Sequence, residues 1–499
     1  MKELCSHGSH QTLRHSDIVL SVIPAALHLL FVGWMVLRYP ISIIADPGRN
    51  RWDYFWQLIP VELLRTECFT SLWNLHSQPP LYNFLGAILL TLSPSGQHLK
   101  VLHIFNVCCG AALCWLLYFP ARALLARRWL CLLVCCVFAL HPSLPLYEAY
   151  ILYDVFTVFL VGVALACVAL FQLQRQRRWL AGYFVGLNLL VLTRTIFHPA
   201  VLIWGLLMAC VWAGARWRRM LSLGLLISLP VLGWCAKNYV KFGFWGTTSW
   251  TGMNLWRIAS SGYSRAEVKK LADQGLLDPM VVLRNDFQWP RELAHYGFDA
   301  TSRVSVLNRE DFNNINIPGA SRIFLKNARR LIRYSPSMYF ETVQRGALLF
   351  CSPSFDFSHL KFNARVIPRY LDCWRVLHGK QPPGIGGSKR PQYGSLVMWS
   401  YIVALVVFVM GVIREVFVER ESLFTVLDHR PLEFAMVYII IWVALVGCLF
   451  EIGENDRFRF IIEYPSYIFV IAMLRRLLDA LALKRSGHAA APPDGARPI

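Results

Sequence analysis

Charge is scarce in this chain of 499 residues: Asp, Glu, Lys and Arg together make up 16%, where a soluble domain carries about 25%. With hydrophobic residues at 56%, that scarcity excludes a disordered chain, a disulfide-stapled secreted domain and a soluble two-domain enzyme. Paired cysteine spacing is missing as well. The 14 cysteines contain no CxxC, so neither a zinc site nor a redox motif is indicated. Most of them, Cys108, Cys109, Cys131, Cys135 and Cys136 included, sit in apolar blocks and read as small core hydrophobes. Only Cys68, Cys351 and Cys373 fall in polar stretches. A Cys351–Cys373 bridge stays open if the compartment is oxidising. No GxxxxGK[ST] and no GxGxxG opening a helix occurs, so nothing marks a nucleotide-phosphate cradle. No internal repeat is evident either.

What is present is apolar sequence in blocks of about 20 residues, the length that spans a hydrocarbon core about 30 Å thick. The expected spans are 18–38, 101–120, 129–146, 155–172, 179–196, 199–213, 218–236, 396–413, 432–450 and 460–474. The first block runs beyond a signal-peptide core and no small-residue cleavage site follows it, so it reads as an uncleaved span. Residues 81–92 (LYNFLGAILLTL), between Pro79-Pro80 and Ser93-Pro94, are too short to cross alone.

The balance of 50 Lys+Arg against 30 Asp+Glu gives a net charge of +20. The basic residues cluster between apolar blocks, which points to anionic lipid and not to nucleic acid. If 81–92 does not cross and the N-terminus is cytoplasmic, the inside loops collect Arg122/Arg127/Arg128, Arg175/Arg177/Arg178, Arg216/Arg218/Arg219 and Arg414/Arg420, with Arg475, Arg476, Lys484 and Arg485 in the tail. If it crossed, every cluster up to Arg219 would lie outside, against the positive-inside bias. Segment 81–92 therefore reads as a re-entrant or interfacial helix on the outer side. The expected fold is an all-α polytopic membrane protein of about ten spans with both ends cytoplasmic. Its parts are an N-terminal transmembrane catalytic module over 1–236, with a first extracytoplasmic loop at 39–100. An extracytoplasmic domain at 237–395 contains a basic helical run at Ala320–Gly346. C-terminal spans follow over 396–475, then a disordered tail at 476–499, Pro/Ala-rich at its end.

Four polar constellations fall on the outer side, where boundary ionisable groups are costly and become functional candidates. The first is Asp46-Pro47-Gly48 and Trp52-Asp53-Tyr54, leading to His76, Gln78, Pro79-Pro80-Leu81-Tyr82. Asp53 alone reads equally well as a helix cap. The second is Tyr153-Asp154. The third is Arg194 with His198, and an arginine outside wants a carboxylate or a phosphate. The fourth is Glu451 to Phe460, with Glu454, Arg457 and Arg459; it reads alternatively as a local ion-pair cluster of little worth. Carboxylates and arginines on one face suit a reaction on a lipid-linked phosphate: cations offset leaving-group charge and a carboxylate takes the proton of an incoming hydroxyl. A transporter or lipid flippase would place charge near the midplane, with inverted repeats and broken helices, and the sequence displays neither. A catalytically inactive scaffold is the remaining alternative.

These pieces resemble the GT-C membrane glycosyltransferases, in the glycosyltransferase family 39-like branch of protein mannosyltransferases and aminoarabinose transferases. They are, in family order, an acid soon after span one, Pro79-Pro80-Leu81-Tyr82, Tyr153-Asp154, Arg194, Lys237-Asn238-Tyr239 with Gly243 and Thr251-Gly252-Met253-Asn254-Leu255, and Asn455-Asp456-Arg457-Phe458-Arg459-Phe460 with Pro465. The resemblance implies a GT-C-like bundle and transfer, with inversion, of a monosaccharide from a polyprenyl- or dolichyl-phosphate donor to a protein, lipid or glycan hydroxyl. It implies a site facing the periplasm of a bacterial inner membrane or the lumen of the ER. The first-loop acid, Asp53 or Asp46, would be the base, and Asp154 matches the second acidic position. Many members carry Asp-Glu where this chain has Asp46-Pro47 or Asp53-Tyr54, so the choice stays open. Arg194, Arg457 and Arg459 are candidates for the donor phosphate, with His76, Gln78, Tyr82, His198 and Glu454 in support. Some relatives bind a divalent metal; His76, Glu67 and His198 are available here, although no ligand spacing demands one.

Overall fold

The computed structural model describes residues 13–42, 52–55, 57–94, 96–282, 316–378 and 396–489. The longer helices are α1 His15–Arg38, α2 Leu81–Leu92, α3 His98–Leu124, α4 Arg128–Ala139, α5 Asp154–Gln174, α6 Arg178–Thr193, α7 Ala200–Ala213 and α8 Trp217–Phe242. They continue with α9 Thr251–Ser260, α10 Arg265–Asp273, α11 Ile317–Tyr334, α12 Pro336–Phe350, α13 Pro368–His378, α14 Leu396–Ile413, α15 Pro431–Phe450 and α16 Asn455–Ala489. Among the described residues there is no strand, so the all-α expectation holds.

Six helices or helix runs are long and apolar enough to cross a membrane: α1, α3, α5, the α7–α8 run, Trp399–Val418 and α15. Helices α2, α4 and α6 are apolar but shorter. The expected span 129–146 stops at Ala139, because Pro142 cannot continue a helix, and resumes as the short helix Ser143–Glu148. The same cause divides the expected run Ala320–Gly346 into α11 and α12 at Ser335-Pro336. In the tail, α16 runs on as far as Ala489 where disorder was expected from 476, since Leu, Ala, Lys and Arg dominate there and favour a helix. Cys351 and Cys373 are free thiols, so the bridge left open by the sequence is absent.

Helix α5 is the axis of the bundle, packed by α3, α6, α15 and α16. That explains its nearly continuous apolar sequence, since a helix covered on all sides needs no polar face. The Leu140–Tyr153 connection in front of it is fastened from three sides. Glu148 meets His28 Nε2 of α1 at 2.7 Å, and its carbonyl accepts from Asn106 at 3.1 Å and lies 3.1 Å from His103 Nδ1. A Cβ at Gly110 would collide with the Glu148 carboxylate, so the glycine lets that acid approach α3.

A second hydrophobic core lies apart from the bundle. Trp256, Ile258, Phe324, Ala328 and Leu331 unite α9 with α11, and Ile452, from the turn between α15 and α16, is buried among them. The start of α10 is fixed by a capping box in which Ser264 and Glu267 each satisfy the other's backbone N–H.

Two ends of the bundle differ in charge. Arg122 and Arg128 hold Asp17, Arg175 meets Asp428, and Arg476 pairs with Glu433. The other end carries Asp154, Arg194 and Arg457, the last following Gly453 and Asn455. The basic loops of the sequence thus gather at one end, as the positive-inside pattern requires of a single leaflet.

Candidate active site

Three helix ends supply the site. Asp154 opens α5, Arg194 directly follows α6, and Arg457 sits in the first turn of α16. Helices α5 and α6 form a hairpin, which returns Arg194 to the end where Asp154 starts. Arg194 Nη1 donates to Asp154 Oδ1 at 2.5 Å. Arg457 grips the same carboxylate in bidentate fashion, Nε at 2.9 Å from Oδ1 and Nη2 at 2.9 Å from Oδ2. The three side chains are 0%, 2% and 3% exposed, so their attraction acts in a low-dielectric setting and removing one partner strands a buried charge.

Aromatic rings enclose the triad. The Arg194 guanidinium lies between Tyr153 (5.2 Å) and Phe458 (5.1 Å). Arg457 lies over Tyr150 (5.5 Å) and beside Phe357 (5.7 Å). Arg457 also donates to Glu454 at 2.7 Å. Desolvation would raise the Glu454 carboxyl, but the charges of Arg457 and Arg257 hold it below its ordinary value. Asp456 goes the other way. Burial pushes its carboxyl up to about 7, the charges of Glu454 and Asp356 add to the rise, and the N–H of Arg457 opposes it. Asp456 is therefore a half-protonated acid near neutral pH beside a fully charged ion triad.

The turn that aims these groups is braced by one side chain. Asn455 Nδ2 donates to the carbonyls of Gly447 (2.9 Å) and Glu451 (3.2 Å), and its Oδ1 accepts from Gly453 N at 3.0 Å. Gly453 has φ +100°, a backbone conformation that suits glycine.

The first-loop residues approach through rings. Trp52 stacks near Tyr82 at 6.4 Å, and Tyr82 meets Tyr153 edge-on at 5.6 Å, its hydroxyl donating to the Ile151 carbonyl at 2.5 Å. Phe55 meets Tyr150 at 5.7 Å. Asp53 is exposed and accepts the N–H of Val61 at 2.9 Å, so part of its function is to anchor the helix that starts there. Asp46 lies outside the described residues.

The other expected residues lie elsewhere. Arg459, two positions after Arg457, is turned about 200° round the helix. It donates to the carbonyls of Cys351 (2.8 Å) and Ser352 (2.9 Å) and stands 3.8 Å from Glu463, which accepts from Ser354 at 2.5 Å. This second network ties α12 to α16. His76 is buried, its Nδ1 3.0 Å from Ser249 Oγ and its ring 4.7 Å from Phe242. Burial and the neighbouring Lys237 charge bring its pKa down to about 3, so it stays neutral. Gln78 is buried too, with no partner on Oε1. His198 is exposed and accepts the N–H of Ala200 at 3.2 Å, capping α7.

Among the described residues no group of three His, Cys, Asp or Glu is placed to hold a metal ion, so His76, Glu67 and His198 form no such set. The pairs Asp356–Arg375 (2.7 Å) and Arg257–Glu451 (3.0 Å) were not foreseen. Each joins residues far apart in sequence, and no local motif marks them.

No protein-family model matches the chain, and no curated protein matches it. Two solved structures of the Archaeoglobus fulgidus oligosaccharyltransferase are similar to it. The one tethered to an acceptor peptide with the NVT sequon has 13% identity and a TM-score of 0.42, covering 95% of this chain and 51% of that one. The complex with zinc and sulfate has 14% identity and a TM-score of 0.40, covering 93% and 50%. The chain spans about half the length of these structures. Likeness this distant establishes neither activity nor ligand.

Proposed function

We propose that the chain is an integral-membrane glycosyltransferase of the GT-C type, moving a monosaccharide from a polyprenyl- or dolichyl-phosphate donor to an acceptor hydroxyl on the extracytoplasmic side. The observation that carries this is the Arg194–Asp154–Arg457 set. Arg194 uses one nitrogen on Asp154, and its remaining N–H groups make no hydrogen bond within the described residues. A guanidinium held between two rings, oriented by a carboxylate and with donors to spare, suits a phosphate oxygen. The gathering of the basic loops at the opposite end supports an extracytoplasmic position for it.

In this scheme the acceptor oxygen attacks the anomeric carbon and the bond from that carbon to the phosphate oxygen breaks, with inversion. The electron pair leaves with the lipid phosphate, where Arg194 and Arg457 offset the charge. The acceptor proton passes to a first-loop carboxylate, Asp53 or Asp46. Asp154 has both oxygens engaged by guanidinium groups and acts as a positioning residue. The described residues offer no metal cluster, and no step is routed through one.

The test is release of lipid phosphate from polyprenyl- and dolichyl-phosphate monosaccharides by the full chain in proteoliposomes. Arg194→Ala, and the double change Asp46→Asn with Asp53→Asn, should each reduce turnover by about 100-fold or more while the melting temperature holds. Wild-type turnover in both variants would end the proposal. Movement of the intact lipid-linked sugar between leaflets, without release of lipid phosphate, would make the chain a flippase.

A further inference from the structure

We propose that the cleft between α9, the start of α10 and the Ile452–Gly453 turn binds a phosphomonoester group, at a site separate from the Asp154 triad. The cleft has a volume of about 320 Å³, with Trp256, Arg257, Ser260, Tyr263, Arg265 and Gly453 in its lining. Two guanidinium groups face it, and among the described lining residues there is no carboxylate. The charge of Arg257 is shared with Glu451 at 3.0 Å. Arg265 makes no hydrogen bond, ion pair or ring contact within the described residues.

The position of Arg265 is electrostatically adverse. It is the first residue of α10, where the positive end of the helix dipole disfavours a cation. An anion in the cleft would reverse that, meeting the guanidinium and the helix end together. A second observation points the same way. The Tyr263 hydroxyl is closed off from solvent and has no hydrogen-bond partner, a costly state unless a ligand accepts its proton. The serines are already committed: Ser260 donates to the Trp256 carbonyl at 2.8 Å and Ser261 to the Ile258 carbonyl at 3.2 Å. The donors left for a ligand are thus Arg265, Arg257 and Tyr263. A dianion with three terminal oxygens matches two guanidinium groups and a phenol better than a carboxylate or a phosphodiester does. Either a lipid headgroup or a soluble metabolite supplies that chemistry. The site does not depend on the glycosyltransferase proposal, because its readout is binding.

The experiment uses the full chain in phosphatidylcholine nanodiscs, titrated with inorganic phosphate and with glycerol 3-phosphate. Saturable binding is expected. Arg265→Ala should weaken it roughly tenfold, Tyr263→Phe severalfold, and Arg265→Lys less than Arg265→Ala; Arg194→Ala should leave it unchanged. Arg265 is exposed and the Tyr263 hydroxyl bonds to nothing, so these variants keep the fold. Discs containing phosphatidic acid that suppress the titration, where phosphatidylglycerol discs do not, identify a lipid headgroup as the source. An undiminished titration in both identifies a soluble one. No saturable binding by the wild-type chain, binding indifferent to Arg265→Ala and Tyr263→Phe, or binding abolished by Arg194→Ala would overturn the proposal.

Discussion

Asp17 and Asp154 are the same device at opposite ends of the bundle: an acid in the first turn of a long apolar helix, met by two arginines. At Asp17 the partners are Arg122 and Arg128, which flank one tight corner between α3 and α4. Tyr118 and the backbone N–H of Arg14 complete its shell, and the Arg128 side chain is 30% exposed. Every bond there joins neighbours, and the node reads as a clasp holding α1 to the corner. At Asp154 the arginines come from α6 and α16, none is exposed beyond 3%, and rings surround them. One node is a local fastening open to water. The other collects distant parts of the chain in a dry setting and keeps donor capacity in reserve.

That contrast can be broken. The largest effect is expected from Asp154→Asn, which strands two buried guanidinium groups and should cost about 3–5 kcal/mol; thermal unfolding in detergent measures it. Asp17→Asn should cost distinctly less, about 1–3 kcal/mol, because water reaches Arg128. Equal losses would erase the distinction between the nodes.

A titration sharpens the same contrast. The Asp456 carboxyl is raised from 3.8 to about 7 in the folded chain. Above about pH 4 an unfolded chain has given up this proton while the folded chain still holds it, so stability falls as pH rises towards 7 and then levels off. Asp456→Asn should remove that slope. Melting temperatures of both proteins from pH 5 to pH 8 would reveal parallel curves if Asp456 were not a buried neutral acid. The smallest effect belongs to the exposed Glu341–Arg345 pair at 2.7 Å, where Glu341→Gln should shift stability by less than about 0.5 kcal/mol. A larger shift there would mean that exposure does not grade these ion pairs.

Hydropathy made the bundle legible, since a span's length and apolar character are local properties. The triad was legible for a related reason: Asp154, Arg194 and Arg457 each stand at a span boundary, where charge is conspicuous. The prolines bounding 81–92 and the helix over Leu81–Leu92 agree as well. Pro142 and Pro336 were visible breaks, yet the apolar pattern running through them suggested continuity. Arg459 was grouped with Arg457 by adjacency, although the helical period places alternate residues on opposite faces. His76 and Gln78 read as polar loop residues and are buried, because the cover comes from α8 and the segment after it, more than 160 positions away. Pairings such as Arg257–Glu451 depend on how the outer helices meet the bundle, and no periodicity encodes that.

The Asn455 brace has a mechanical side. Within four residues the chain places Ile452 in the outer core and secures the α15–α16 turn with Asn455. Two residues further on, Arg457 enters the ion triad. A rocking of the outer helices against the bundle must be absorbed across that stretch, so it would travel as torque to the guanidinium on Asp154. Whatever docks against α9 or α11 from outside the membrane therefore has a short, stiff lever on the reaction centre.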